Sequence, residues 1–317
     1  MIEFKDIDIS DRPLFEKYYD FEKNINSEAN FTNMFMWHKS YHIQYAVEDG
    51  FLVLQANHPS SGLLHQFPFG SGDVRPVLDK LRRQYQGTGY SIRPLSVEQM
   101  KFLQEAYPGQ YEYTHLRDAD DYIYSVEKLM TLRGKKLHSK RNHFNFFKEH
   151  YPFTYHKITP ETQQACKRQV LKWVEERNED PAEELEAVSM IFDNYDKLNI
   201  KGAYLEAEGK IIAVTIGERM HETALIHIEK ADTEYRGVYV ATVSYTHLHQ
   251  RFYKNEAPES PGPPFKSKKN LPPSGTIHEL LHFTLGIRYV WLLLLKVHDL
   301  KGFLTELPHP SRAEEYF

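Results

Sequence analysis

One cysteine, Cys166, stands in a chain of 317 residues. A lone thiol excludes an intramolecular disulfide framework and any cysteine-based zinc knuckle, and it makes a reducing compartment the expected setting. Long apolar runs are missing too. The greasiest stretch, 281–297, holds Trp291 and Leu292 to Leu295, but Arg288 interrupts it. It falls short of the roughly 20 apolar residues that span a bilayer. Met1 to Ser10 carries Glu3, Asp6 and Asp8 and no apolar h-region, so no signal peptide is expected. Excess positive charge is also absent: 39 Lys and Arg against 44 Asp and Glu leave −5. That excludes a globally basic nucleic-acid coat, though a local basic patch stays open. These absences predict a cytoplasmic protein without a transmembrane segment.

What the chain does have is apolar and aromatic side chains. At 41% hydrophobic residues it can build a packed core, so it is not disordered as a whole. Its 21 Tyr and 19 Phe are a heavy load, and many tyrosine hydroxyls must stay wet or hydrogen-bonded. The length allows two domains.

Near the start, Tyr41 to Val47 alternates, Glu48-Asp49-Gly50 turns, and Phe51 to Gln55 runs back, with Leu63 to Phe69 as a third strand. A helix from about Asp73 to Gln86 spaces Val74, Val77, Leu78 and Leu81 on one side, and Ser96 caps another. The same grammar returns later. Thr159 caps a helix with Pro160 at its first position and a stripe of Cys166, Val170, Trp173 and Val174. A second helix opens near Pro181, and three strands follow within Ala203 to Lys230. Two helices, a three-strand meander and a glycine-containing loop entering a helix is the order of a GNAT-type acyltransferase module. The first half reads as a degenerate copy, so the expected fold is α/β with tandem GNAT-like modules, 1–120 and 121–242.

The sharpest chemical feature is 133–148, with six Lys or Arg and no acid. On one continuous helix Lys136, Lys140 and His143 form a basic stripe, and Leu137, Arg141 and Phe144 the neighbouring one. Arg141 then sits at the margin of the core with an ordered guanidinium suited to phosphate or carboxylate. A solvated basic face is the plainer alternative. In the strand Thr223 to Lys230, strict alternation points Leu225, His227 and Glu229 one way and Ala224, Ile226 and Ile228 the other. His227 or Glu229 could then serve as a general base beside Lys230, unless that face merely borders solvent. The loop Arg236-Gly237-Val238-Tyr239 falls where acetyltransferases cradle the pyrophosphate of coenzyme A, but with a single glycine. The 17 His show no metal-ligand spacing, and Asp118, Asp120 and Asp121 read as a polar junction, so no metal is expected.

Asp121-Tyr122-Ile123-Tyr124, Leu132-Arg133-Gly134-Lys135-Lys136, Lys140-Arg141-Asn142, Ile228-Glu229-Lys230-Ala231-Asp232 and Arg236-Gly237-Val238-Tyr239 together resemble the phosphatidylglycerol lysyltransferase C-terminal-domain family, a tandem GNAT-like fold. The resemblance covers roughly residues 1–241. It implies an acyl- or aminoacyltransferase whose donor is aminoacyl-tRNA, with no bound cofactor, and whose acceptor is a small molecule, lipid headgroup or peptide. Absence of a membrane-spanning half puts a lipid acceptor in doubt. The implied site residues are Arg133, Lys136, Lys140, Arg141, Asn142, Arg236, Gly237 and Tyr239 for substrate, including tRNA, and His227, Glu229 and Lys230 for catalysis. Two alternatives stay open: an acetyl-coenzyme A-dependent N-acetyltransferase, and a non-catalytic RNA- or anion-binding module.

The resemblance stops at Ala241-Thr242. Val243-Ser244-Tyr245-Thr246-His247-Leu248 is the conceptual translation of the transposase mosaic end used in sequencing libraries, and 258–273 holds six prolines. Residues 243–317 are therefore expected to be foreign to the fold, with no legible strand–helix pair to complete the second module.

Overall fold

The computed structural model describes residues 1–20, 26–58, 62–115, 121–221, 223–244 and the backbone of 280–283. The chain divides into two units, 1–120 with 180–199, and 121–179 with 200–317. Elements are numbered along the chain.

The first unit contains β1 (Lys5–Asp6), α1 (Arg12–Tyr19), α2 (Phe31–Trp37), β2 (Gln44–Glu48), β3 (Phe51–His58), β4 (Gly62–His65), β5 (Phe69–Gly70), α3 (Arg75–Gln84), β6 (Ser91–Ile92) and α4 (Val97–Ala106). The sheet runs β1-β2-β3-β4-β6, with β5 also on β3. The single third strand expected over 63–69 is thus two short ones, pairing opposite ends of β3. One face buries Ala46 and Val53 under Val77, Leu78 and Leu81 of α3 and Leu103 of α4. The other presents Tyr45, whose ring meets Phe15 of α1 edge-on at 5.0 Å. Ser96 and Gln99 close a capping box on α4, the arrangement their spacing calls for.

A correction concerns the helix opening near Pro181. It is α8 (Ala182–Asp193), and it belongs to the first unit rather than to the second module. Its buried face, Ala187, Val188, Ile191 and Phe192, is apolar enough to dock anywhere, and it docks on α2.

The second unit contains β7 (Tyr122–Ser125), α5 (Val126–Thr131), α6 (His138–His150), β8 (Thr154–Lys157), α7 (Pro160–Arg177), β9 (Lys201–Ala207), β10 (Lys210–Met220), β11 (Thr223–Ala231), α9 (Val238–Thr242) and β12 (Leu280–Phe283). Its sheet runs β7-β12-β11-β10-β9-β8. The order of helix, antiparallel meander, glycine turn, helix and parallel strand is GNAT-like. Thr159 and Thr162 cap α7 reciprocally, and Cys166, Val170, Trp173 and Val174 are its buried stripe. Burial pushes the Cys166 thiol up to about 12, which leaves it unreactive. On the opposite face, Leu205, Ala213, Ala231, Val238 and Ala241 pack against Phe147 of α6.

The tail differs from expectation at one place. β12 lies between β11 and β7, parallel to β11 at Thr223 to Leu225 and antiparallel to β7. The rest of the expectation for 245–279 and 284–317 lies outside the described residues. Among the described residues no helix is long and apolar enough to cross a membrane.

Candidate active site

Alternation along β11 fails at one residue. Ile216 of β10 faces Ile228 and the next residue, Gly217, faces Ile226, so His227 is an extra residue bulging out of the ladder. Gly217 permits this because β11 comes too close for any side chain: a Cβ there would stand 2.4 Å from the Leu225 carbonyl oxygen. Past the bulge the faces exchange. Glu218 pairs with Leu225 and Val214 with Lys230, whereas Gly217 pairs with Ile226 and Thr215 with Glu229. Cross-strand partners share a face. Leu225, Ile228 and Lys230 therefore lie on the side of α7, and Ala224, Ile226 and Glu229 on the side of α6 and α9.

This corrects the expected union of His227 with Glu229. His227 turns to Glu218 of β10, its Nε2 lying 2.7 Å from the Glu218 carboxylate. Its Nδ1 has no partner among the described residues. The imidazole is 0% exposed, which removes it from contact with any substrate in this conformation. It braces the bulge.

Glu229, half-buried, has different company. Lys140 of α6 is near enough that the Glu229 carboxylate raises its pKa, although burial prevails and holds the ammonium below its ordinary value. The Lys140 Nζ lies 5.6 Å from the centre of the Tyr124 ring on β7. Tyr239 of α9 joins from the next element. Burial raises its hydroxyl, Arg177 and Lys230 oppose that by favouring the phenolate, and Glu229 adds to it. Lys230 is fully buried, and Arg177, at the end of α7, donates from Nη1 to the Ala231 carbonyl at 2.6 Å. The structure thus groups Glu229, Lys140 and Tyr239 from the expected set on the side of α6 and α9, and leaves Lys230 buried on the side of α7. It adds Arg177, Tyr124 and the brace Glu218, which sequence reasoning missed because each is brought in by pairing across the sheet or at a helix end.

Other expected residues are placed elsewhere. α6 begins at His138, so Lys136 lies in a short 3-10 turn before it and the continuous basic stripe is broken. Arg133 and Lys136 are exposed, and Asn142 Nδ2 lies 3.3 Å from His138 Nδ1 on the same helix. Arg141 Nη1 donates to the Leu132 carbonyl at 2.5 Å, tying down the left-handed residue that ends α5. Arg236 is exposed and rests 4.7 Å over Phe146, whose ring stacks on His150 at 3.9 Å. Gly237 is spent on packing: at φ +89° its Cβ would stand 2.3 Å from the His143 carbonyl oxygen. Among the described residues no three His, Cys, Asp or Glu groups converge on a metal position.

A family model described as phosphatidylglycerol lysyltransferase, C-terminal, matches residues 20–254, twelve residues beyond the limit expected at 242. A conserved protein of unknown function from Bacteroides thetaiotaomicron is 32% identical, with a TM-score of 0.73 over 78% of this chain and 86% of that one. The structure of L-PGS from Bacillus licheniformis has a TM-score of 0.52 at 18% identity, over 76% of this chain and 73% of that one, a likeness of fold. An uncharacterized protein of Mycoplasmoides gallisepticum is 32% identical over 124 residues, which are 38% of this chain, and the chain spans 40% of that relative's length.

Proposed function

The chain belongs to the phosphatidylglycerol lysyltransferase C-terminal family, and on that premise we propose that it transfers an aminoacyl group from aminoacyl-tRNA to an amine or hydroxyl acceptor. The observation that carries this reading is the electrostatic influence of Glu229, on the α6 and α9 side of the second sheet, on both Lys140 and Tyr239. An aminoacyl ester is already activated, so the protein has to align the acceptor, take its proton and offset the charge of the tetrahedral intermediate. The acceptor nitrogen or oxygen attacks the ester carbonyl, and Glu229 takes the proton it loses. Lys140, desolvated and with its ammonium favoured by Glu229, would in its protonated form offset the developing oxyanion, where low dielectric strengthens the attraction. The ester C–O bond then breaks, and the ribose hydroxyl of the tRNA leaves with the proton held by Glu229. Arg133, Lys136 and Arg236, exposed on the same unit, would meet tRNA phosphates.

The test is transfer of a labelled amino acid from charged tRNA to a panel of acceptors: small amines, peptide amines and glycerophosphate headgroups. Wild-type turnover with a loss of about 100-fold or more in Glu229→Gln is the expected result. Tight tRNA binding with no turnover on any acceptor would instead mark a binding module. Micromolar binding of acetyl-coenzyme A by isothermal titration would replace the donor.

A further inference from the structure

The first unit holds a cavity of about 770 Å³, lined among others by Asp6, His42, Gln44, Gln55, Asn57 and Tyr85. Its floor is the sheet face that α3 covers over Ala46 and Val53, continued past the end of that helix. There the face turns polar. Asp6 pairs with Gln44 and Gln44 with Gln55, so the three side chains form one row across β1, β2 and β3. Within the row, Gln44 Nε2 donates to Asp6 Oδ1 at 2.8 Å and Gln55 Nε2 donates to Gln44 Oε1 at 2.9 Å. Tyr85 donates its hydroxyl to Gln55 Oε1 at 2.7 Å and accepts from Gln84 Nε2 at 3.3 Å. Every bond in this series runs toward the Asp6 carboxylate, so each polarises the next and the Gln44 and Gln55 carboxamides are held in one orientation.

Such a ladder is more than a wet surface. Gln44 and Gln55 each keep a second N–H beyond the ladder, Asp6 a second oxygen, and exposed Asn57, one step along β3, a whole carboxamide. Donors and acceptors alternate over a rigid floor, and the Tyr85 ring stands at its side. Fixed charge is balanced there by Asp6 against Lys39 on the wall, so a phosphate would meet a carboxylate and a cation would meet an ammonium. The volume falls in the range, roughly 300–1,000 Å³, of sites that enclose small ligands. We propose that this cavity binds a neutral, hydroxyl-rich ligand, a glycosyl unit of one or two rings, independently of the reaction on the second unit.

The experiment titrates the full chain with glucose, N-acetylglucosamine, maltose and chitobiose, and with inorganic phosphate, by saturation-transfer NMR and isothermal titration. At least one saccharide should bind with a Kd of about 1 mM or tighter. Thr88→Trp, at the exposed rim, fills the cavity while leaving every ladder side chain in place, losing only the Thr88 hydroxyl bond to the Tyr85 carbonyl, and should abolish that binding. Gln55→Leu should weaken it about tenfold or more by removing the central rung. If Gln55→Leu fails to fold, Thr88→Trp and Asn57→Ala still decide the matter. Saccharide binding untouched by Thr88→Trp and Asn57→Ala, absence of saccharide binding, or phosphate binding displaced by Thr88→Trp would each overturn the proposal.

Discussion

His65 makes the stability of the protein sensitive to acid. Its ring is fully buried, with centroids 5.0 Å from Tyr85, 5.3 Å from Tyr90 and 6.0 Å from Phe4. Nδ1 lies 3.2 Å from the Leu54 carbonyl, which can only accept, so Nδ1 holds the proton of the neutral ring. Nε2 has no partner among the described residues. A second proton would create a cation with one hydrogen bond in an aromatic box, and burial accordingly pushes the imidazole down to about 4, against the smaller upward pull of the Leu54 carbonyl. The sign follows from where protons bind. Between about 6.5 and about 4 the unfolded chain takes up a proton that the folded one refuses, so stability falls as pH drops through that window and levels off below it. The gap amounts to about 3 kcal/mol, a large share of the roughly 5–15 kcal/mol that holds most domains together. Urea unfolding between about pH 7 and about pH 4 isolates the effect when wild type is compared with His65→Asn, which keeps a donor for Leu54 and cannot titrate. The variant starts less stable because it loses the ring contacts, and the difference should shrink by about 3 kcal/mol on acidification, a change of about 1–3 M in the relative midpoints. A difference that stays constant with pH, or an NMR titration of His65 near its ordinary value, would refute the reasoning.

Gly217→Ala should destabilise the protein by about 1–3 kcal/mol, read as a lowered Tm, because the new Cβ meets the Leu225 carbonyl and forces β11 out of its bulge. Thr215→Ala, on the same strand and without that clash, should cost less; equal costs would mean that the close approach is unimportant. Glu229→Gln should lower the Lys140 pKa further, since the carboxylate that favours the ammonium is gone. Dimethyl-lysine NMR of the intact chain should show Lys140 titrating at lower pH in the variant, and an upward or absent shift would separate the two groups.

Elements whose evidence is local were readable in the chain itself. α7 announces its cap at Thr159, its first turn at Pro160 and its buried stripe from Cys166 to Val174, all within one helix. α4 does the same through Ser96 and Gln99. What escaped reading depends on partners distant in sequence. The apolar stripe of α8 says that it must dock, yet nothing in it names α2 rather than the second sheet. The basic run at 133–148 was visible as charge, but whether Lys136 joins the helix depends on Gly134, whose φ of +98° lets a 3-10 turn form first. Composition could not tell that Arg141 serves a backbone carbonyl while Lys140, its neighbour, turns toward Glu229.

The decisive failure of pattern reading is the bulge at His227, and the same irregularity makes the site. In an unbroken strand, His227 and Glu229 would share a face and Lys230 would take the other. One extra residue gives Glu229 to the side of α6 and α9, where Lys140 and Tyr239 wait, and leaves Lys230 with Ile228 on the side of α7. A buried imidazole is costly without a partner, and Glu218, two residues from Ile216 on the neighbouring strand, supplies it at 2.7 Å. The pair therefore holds open the very distortion that Gly217 makes sterically possible. Period-two alternation is a statement about a regular ladder. Where a strand breaks it with a buried, hydrogen-bonded residue opposite a glycine, the break itself decides which side chains meet, and here it decides that Glu229 meets Lys140.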